Sequence, residues 1–151
     1  MKKFRFRLDP ILRLKEHEEK EKQKAHAAAL GQVNAQDEKL NVIRRERAGK
    51  QSILREQLEG PLNIRNLTAY NRYFVKLNRD ELTGKEMLRA FKKNAEEKRQ
   101  NLVEATKQRR KYEKLRERYQ ERHHKETNLV EQKEQDEIAA QIIQYKKRLP
   151  A

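Results

Sequence analysis

The sequence predicts an all-α protein, two long helices folded back on one another as an antiparallel coiled-coil hairpin. Three observations predict it. Charged residues make up 41% of the 151-residue chain and apolar residues only 34%, whereas an ordinary globular domain is about a quarter charged and nearly half apolar. Four Gly and three Pro punctuate the whole length, too few for a disordered or turn-rich chain. Apolar residues recur at three- and four-residue spacing along Pro-free stretches, the period of one helix face. A compact domain of this length buries about two-thirds of its unfolded surface, and these apolar side chains are too few to fill such a core.

The first helix is bracketed by two signals and predicted over about residues 10–58. At its start, Leu8-Asp9-Pro10 offers a carboxylate for the free first-turn amides and a Pro at the first helical position, where a missing N–H is harmless. At its end, Leu58-Glu59-Gly60-Pro61 suggests a left-handed Gly just past the helix and a Pro that cannot continue it. Leu30, Val33, Leu40, Leu54 and Leu58 form a thin 3-4 seam interrupted by His26, Asp37, Arg44, Arg47 and Gln51. Gly31 and Gly49 each weaken the helix by about 1 kcal/mol relative to Ala.

A turn over about 59–63 leads to Asn63, which can cap a second, longer helix over about 64–148. Its stripe runs Leu67, Tyr70, Tyr73, Phe74, Leu77, Leu88, Phe91, Ala95, Leu102 and Ala105. It continues more thinly through Tyr112, Leu115, Tyr119, Leu129, Ala140 and Ile143 to Leu149-Pro150. Thr83-Gly84-Lys85-Glu86 has capping-box spacing, so a kink near Thr83-Gly84 is compatible with the sequence, as is a continuous helix. The whole chain, 1–151, reads as a single hairpin. A tight turn folds the helices antiparallel, with position i facing a position near 121 − i. Leu12 then lies near residue 109, and the end of helix 2 overhangs by about 35 residues, some 50 Å at 1.5 Å per residue.

Chemistry is excluded more firmly than binding. The absence of Cys removes disulfides, zinc thiolates and thiol nucleophiles, and no phosphate loop or zinc-protease motif is present. His123 and His124 point about 100° apart on a helix and do not converge on one ion. The chain reads as non-enzymatic, without cofactor or metal. No apolar run is long enough for a membrane span, and the basic N-terminus lacks a signal peptide's pattern, so a cytoplasmic protein is expected.

A net charge of +14 predicts affinity for an acidic surface. Residues 107–125 carry nine Lys or Arg against three Glu, and residues 126–137 carry five acids against Lys133 alone. Such blocks read either as solvated surface or as a basic docking band followed by an acidic tail. No leucine zipper follows the basic stretch, which leaves no specific nucleic-acid motif, although nonspecific, salt-sensitive binding is open. Tyr70, Tyr73 and Phe74, with Leu67 and Leu77, make a stripe wider than one partner helix covers. Part of the cluster is expected to lock the hairpin near its turn, and at least one aromatic to face outward as a candidate protein-binding anchor.

Three segments in order resemble the FliJ family of bacterial flagellar type III export: FRFRLDPILRLKEHEEKE, IRNLTAYNRYFVKLNRDEL and EQKEQDEIAAQ. The resemblance implies a two-helix coiled coil similar to the gamma-subunit stalk of rotary ATPases. It implies a hexameric flagellar export ATPase whose ring the stalk enters, an export-gate membrane protein coupled to it, and export chaperones bound for recycling. By position it implies gate binding through Tyr73 and Leu77, with Asp80 and Gly84 departing from the family's pattern one and two turns on. For the ATPase ring it implies Phe4, Phe6, Leu8 and Leu12 together with Gln132, Lys133, Asp136 and Glu137. A peripheral location at the cytoplasmic face of the inner membrane follows from the same resemblance. Physics alone leaves open a stalk of injectisome secretion, and a nonspecific nucleic-acid-binding coiled coil.

Overall fold

The structure, a computed structural model, describes residues 3–148. Leu149-Pro150, where the sequence ends the second stripe, lies outside the described residues. Two helices, α1 (Asp9–Leu58) and α2 (Ile64–Arg148), account for nearly all of it, and among the described residues there is no strand. The helices pack antiparallel as a hairpin. The fold divides into a turn unit, residues 20–104, and a terminal unit, residues 1–19 with 105–151.

Backbone bonds at the helix ends differ from the sequence expectation in two places. The Leu12 N–H donates to the Leu8 carbonyl at 3.0 Å, so Leu8 holds the capping position and Asp9 is already helical. The Asp9 carboxylate pairs with Arg13 Nε at 3.0 Å, and Pro10 falls one place later, still within the first turn where no N–H is needed. At the far end no glycine has a positive φ, so Gly60 is not a left-handed cap. Pro61 forces the residue before it towards extended backbone. The last carbonyls are satisfied instead by tight i→i+3 bonds, Glu59 N–H to Glu56 O and Gly60 N–H to Gln57 O, both 3.3 Å. Asn63 caps α2, its Oδ1 accepting from the Arg65 N–H at 3.1 Å.

The turn unit buries Ala29, Gln36 and Leu40 of α1 against Leu77, Glu81, Gly84 and Ala95 of α2. Val33, Ile43, Arg47 and Leu54 are half-buried on the same face. The true seam therefore shares Val33, Leu40, Arg47 and Leu54 with the expected one. Between them it uses Ala29, Gln36 and Ile43 where Leu30, Asp37 and Arg44 were expected, and Leu30 is 43% exposed. The reason lies at Gly84. A Cβ there would sit 2.7 Å from Leu40 Cδ2 and 3.1 Å from Gln36 Nε2, so the helices approach too closely for a side chain. Small and slender residues then line the seam, and hydrophobicity ranking alone misplaces it by one residue.

That contact also explains why α2 is unbroken through Thr83-Gly84. Gln36 Nε2–H donates to the Gly84 carbonyl at 3.2 Å, across the helices and buried. The glycine serves close approach, and the capping-box spacing is not used to start a helix.

In the terminal unit Leu12 is the buried anchor, 2% exposed. Residues 3–8 precede α1 in non-helical conformation, with Phe4, Phe6 and Leu8 half-buried and Lys3, Arg5 and Arg7 exposed. Phe4 meets His123 edge-on at 5.6 Å and Phe6 meets Tyr119 at 6.0 Å. Two extended residues advance about 6.6 Å and four helical residues about 6.0 Å, so alternate Phe side chains match successive turns of α2. This strap covers helix that the antiparallel register left bare. Every described residue from 132 onward is exposed, so the uncovered stretch is 17 residues, about 26 Å, roughly half the expected overhang.

Candidate functional site

Two carboxylates fix the pairing of the helices, one in each unit. In the turn unit Glu81 of α2 is buried among cations: Arg47 Nη2 at 2.5 Å, Lys85 Nζ at 2.8 Å and Arg44 Nε at 3.8 Å. In the terminal unit Glu19 of α1 accepts from Thr106 Oγ1 at 2.7 Å and pairs with Arg109 Nε at 2.5 Å, while Arg109 also pairs with Glu113. Buried charge of this kind adds little net stability but penalises any slipped register, which would strand it unpaired. A hydrophobicity-based reading passes over both groups, because only partners distant in sequence make them tolerable.

The ion pair with Lys85, and then the one with Arg47, holds the Glu81 carboxyl below its usual range. A carboxylate depressed on folding contributes stability at pH values above its unfolded pKa, about 4.3. That contribution is lost as pH falls through the lower folded value. Urea midpoints of wild type and Glu81→Gln should accordingly differ at pH 7 and converge towards pH 3. A constant gap across that range would show that the charge is not what matters.

The aromatic face of the turn unit is built on α2. Tyr70 and Phe74 stack at 6.3 Å, and Tyr73 and Phe74 meet at 6.2 Å. All three are half-buried. The Tyr73 hydroxyl donates to Glu46 Oε2 at 3.2 Å, and burial followed by the Glu46 charge keeps that hydroxyl protonated above its ordinary range. Leu77, by contrast, is 3% exposed and belongs to the seam, with Gly84, while Asp80 is exposed. The accessible feature beside Tyr73 is a groove lined by Lys50, Asn66, Ala69, Tyr70 and Tyr73.

In the terminal unit the eight residues that the family resemblance implies separate into two groups. Phe4, Phe6, Leu8 and Leu12 bind the N-terminal segment to α2, Leu12 completely. Gln132, Lys133, Asp136 and Glu137 are exposed on uncovered helix. Apolar side chains that the expected stripe does not include accompany them: Ile138, Ile142 and Tyr145 are 57%, 51% and 68% exposed and share one face at i, i+4, i+7 spacing. The available signal was their position beyond the reach of α1. Lys107, Lys111, Lys114, Arg118, Arg122 and Lys125 are all exposed. Their 3-4 spacing makes one cationic stripe turned away from the seam. Among the described residues no cluster of His or carboxylates has the arrangement of a metal site, and no helix is long and apolar enough to cross a membrane.

A protein-family model described as "Flagellar FliJ protein" matches residues 4–148. No curated protein matches the chain. Among solved structures, one described as a putative YscO homolog, CT670, from Chlamydia trachomatis is 22% identical. The likeness covers 98% of this chain and 100% of that one with a TM-score of 0.53, and is a likeness of fold.

Proposed function

The chain belongs to the flagellar FliJ family, and from that membership we propose that it is the stalk of the flagellar type III export machine. In this reading the terminal unit enters the ring of the hexameric export ATPase, and the aromatic face of the turn unit meets the export gate. The observation that carries it is the division of the hairpin into two dissimilar contact regions. One is an uncovered helix bearing polar and apolar side chains, the other a half-exposed aromatic cluster. Such a chain has a separate surface for each of two partners. Mixed charge over a thin seam suits weak, exchangeable contacts. Binding of export chaperones, and a peripheral position at the cytoplasmic face of the inner membrane, complete the proposal.

The residues proposed for the ring are Gln132, Lys133, Asp136 and Glu137 directly. Phe4, Phe6, Leu8 and Leu12 act by holding the segment that frames them. For the gate, Tyr73 is proposed as the contact and Leu77 as the residue that holds it in place. Copurification with the gate's cytoplasmic domain separates the two roles. Tyr73→Ala should abolish capture while the helical circular dichroism and melting temperature stay near wild type. Leu77→Ala should lower the melting temperature as well, since it opens a cavity in the seam worth about 2–5 kcal/mol. Undiminished capture by Tyr73→Ala would remove the aromatic face from the gate contact.

A further inference from the structure

The strap over residues 3–8 does more than lengthen the hairpin. Because Phe4 and Phe6 turn inward onto His123 and Tyr119, Arg5 and Arg7 are presented outward from an anchored backbone. With Arg13 of α1 and Arg116 of α2 they line a cleft of about 780 Å³ that also includes Phe4, Phe6, Asp9 and Pro10. Asp9 is its one carboxylate and already pairs with Arg13. Among the described residues no ion pair engages Arg5, Arg7 or Arg116. The N-terminal end of α1 opens at the same place, adding the positive end of its dipole.

Three features narrow the ligand. All four cations are Arg, whose planar fork takes carboxylates two bonds at a time, whereas the neighbouring stripe is mostly Lys. Arg5 and Arg7 alternate with the inward Phe4, Phe6 and Leu8 on non-helical chain, Arg7 opening the turn that leads into α1, so the two guanidinium groups face outward about two strand residues apart, up to about 6.6 Å, as alternate side chains of an extended segment do. Of the strap's backbone groups, the Phe6 and Leu8 carbonyls accept from Asp9 and Leu12, leaving those of the residues before Phe6 to pair with an added strand. Phe4 and Phe6, which also line the cleft, are half-buried and packed on His123 and Tyr119 rather than standing free as the stacking platforms that single-stranded nucleic acid uses.

We propose that this cleft binds an extended acidic segment of a partner protein, with alternate carboxylates on Arg5 and Arg7 and a further one reaching Arg13 or Arg116. The inference rests on the reading of the terminal unit as a docking region and adds what the partner carries there. It is tested on the full chain by fluorescence anisotropy with a labelled peptide of alternating Glu and Ser at about 100 mM salt, where long-range attraction is largely screened. Arg5→Gln with Arg7→Gln should weaken binding at least about tenfold, and Arg116→Gln alone by several-fold. Lys111→Gln with Lys114→Gln, about 140–160° around α2 from Arg116 at 100° per residue, should leave it within about twofold. Arg5→Lys with Arg7→Lys should recover only part of the loss, and a peptide with the same Glu in one block should bind more weakly.

Equal losses in the Arg and Lys double variants would reduce the site to net charge and overturn the proposal. So would displacement of the peptide by inorganic tripolyphosphate at lower concentration than by unlabelled peptide. Copurification with the ATPase ring is read in parallel. Ring binding without peptide binding defeats this inference alone, whereas peptide binding without ring binding defeats the stalk reading and leaves the cleft.

Discussion

Gly84→Ala should destabilise the hairpin in the wild-type background and stabilise it once Leu40 is Ala. In the first case the new Cβ meets Leu40 Cδ2 at 2.7 Å, beside a side chain with no exposed surface. Overpacking of this kind costs about 1–3 kcal/mol, against about 1 kcal/mol gained from replacing Gly in a helix. Leu40→Ala alone should cost about 2–5 kcal/mol through lost burial and the cavity left behind. With Leu40 truncated the closest obstruction is gone and only the Gln36 amide, 3.1 Å from the new Cβ, has to give by a few tenths of an ångström, so Gly84→Ala keeps most of its helix-propensity gain while filling part of the space. The interaction energy of the double-mutant cycle should exceed about 1 kcal/mol. Gly31→Ala and Gly49→Ala are the controls, since nothing lies within 4 Å of either added Cβ, and each should stabilise by about 1 kcal/mol. Additivity between Leu40 and Gly84 in urea titrations would mean that the helices do not approach closely there.

Ending the chain after residue 131 should abolish capture of the export ATPase ring while leaving the hairpin's melting transition almost unmoved. The described residues removed, 132–148, are all exposed, so their loss takes nothing from the core. It does take Gln132, Lys133, Asp136 and Glu137 and the exposed Ile138, Ile142 and Tyr145. A row of exposed apolar side chains rimmed by polar ones is the pattern of a protein-interaction surface. Copurification of the truncated and full chains with the ring, followed by thermal melts of both, separates binding from folding. Retained capture by the truncated chain would place the ring contact on the strap or elsewhere in the hairpin.

These contrasts show which parts of the molecule the sequence makes legible. The two-helix hairpin follows from composition, the Gly60-Pro61 break and helical periodicity, because those signals are local. The seam is half legible: Val33, Leu40 and Leu54 are found by their apolar character. Ala29 is missed because a small side chain carries a weak apolar signal, and Gln36 because its burial depends on an absent Cβ 48 residues further along the chain. Gly84 looked like a helix-end signal for the same reason; capping and close approach both select Gly, and only the partner helix distinguishes them. The uncovered end of α2 is shorter than the expected overhang because helical arithmetic ignores the non-helical residues before α1, where extended chain reaches about twice as far per residue as helix. Leu77 is a seam residue although it shares a stripe with Tyr73. The stripe is wider than the seam, and its edge, where Tyr73 reaches Glu46, is set by side-chain packing across the pair.

The most direct test of the stalk reading is swimming motility, with secretion of hook and filament proteins, in a flagellated strain lacking this chain. The account predicts a defect in both that the wild-type chain restores, and that neither the chain ending at residue 131 nor Tyr73→Ala restores at equal protein levels. Normal motility and secretion without the chain, or full rescue by both altered chains, would contradict it.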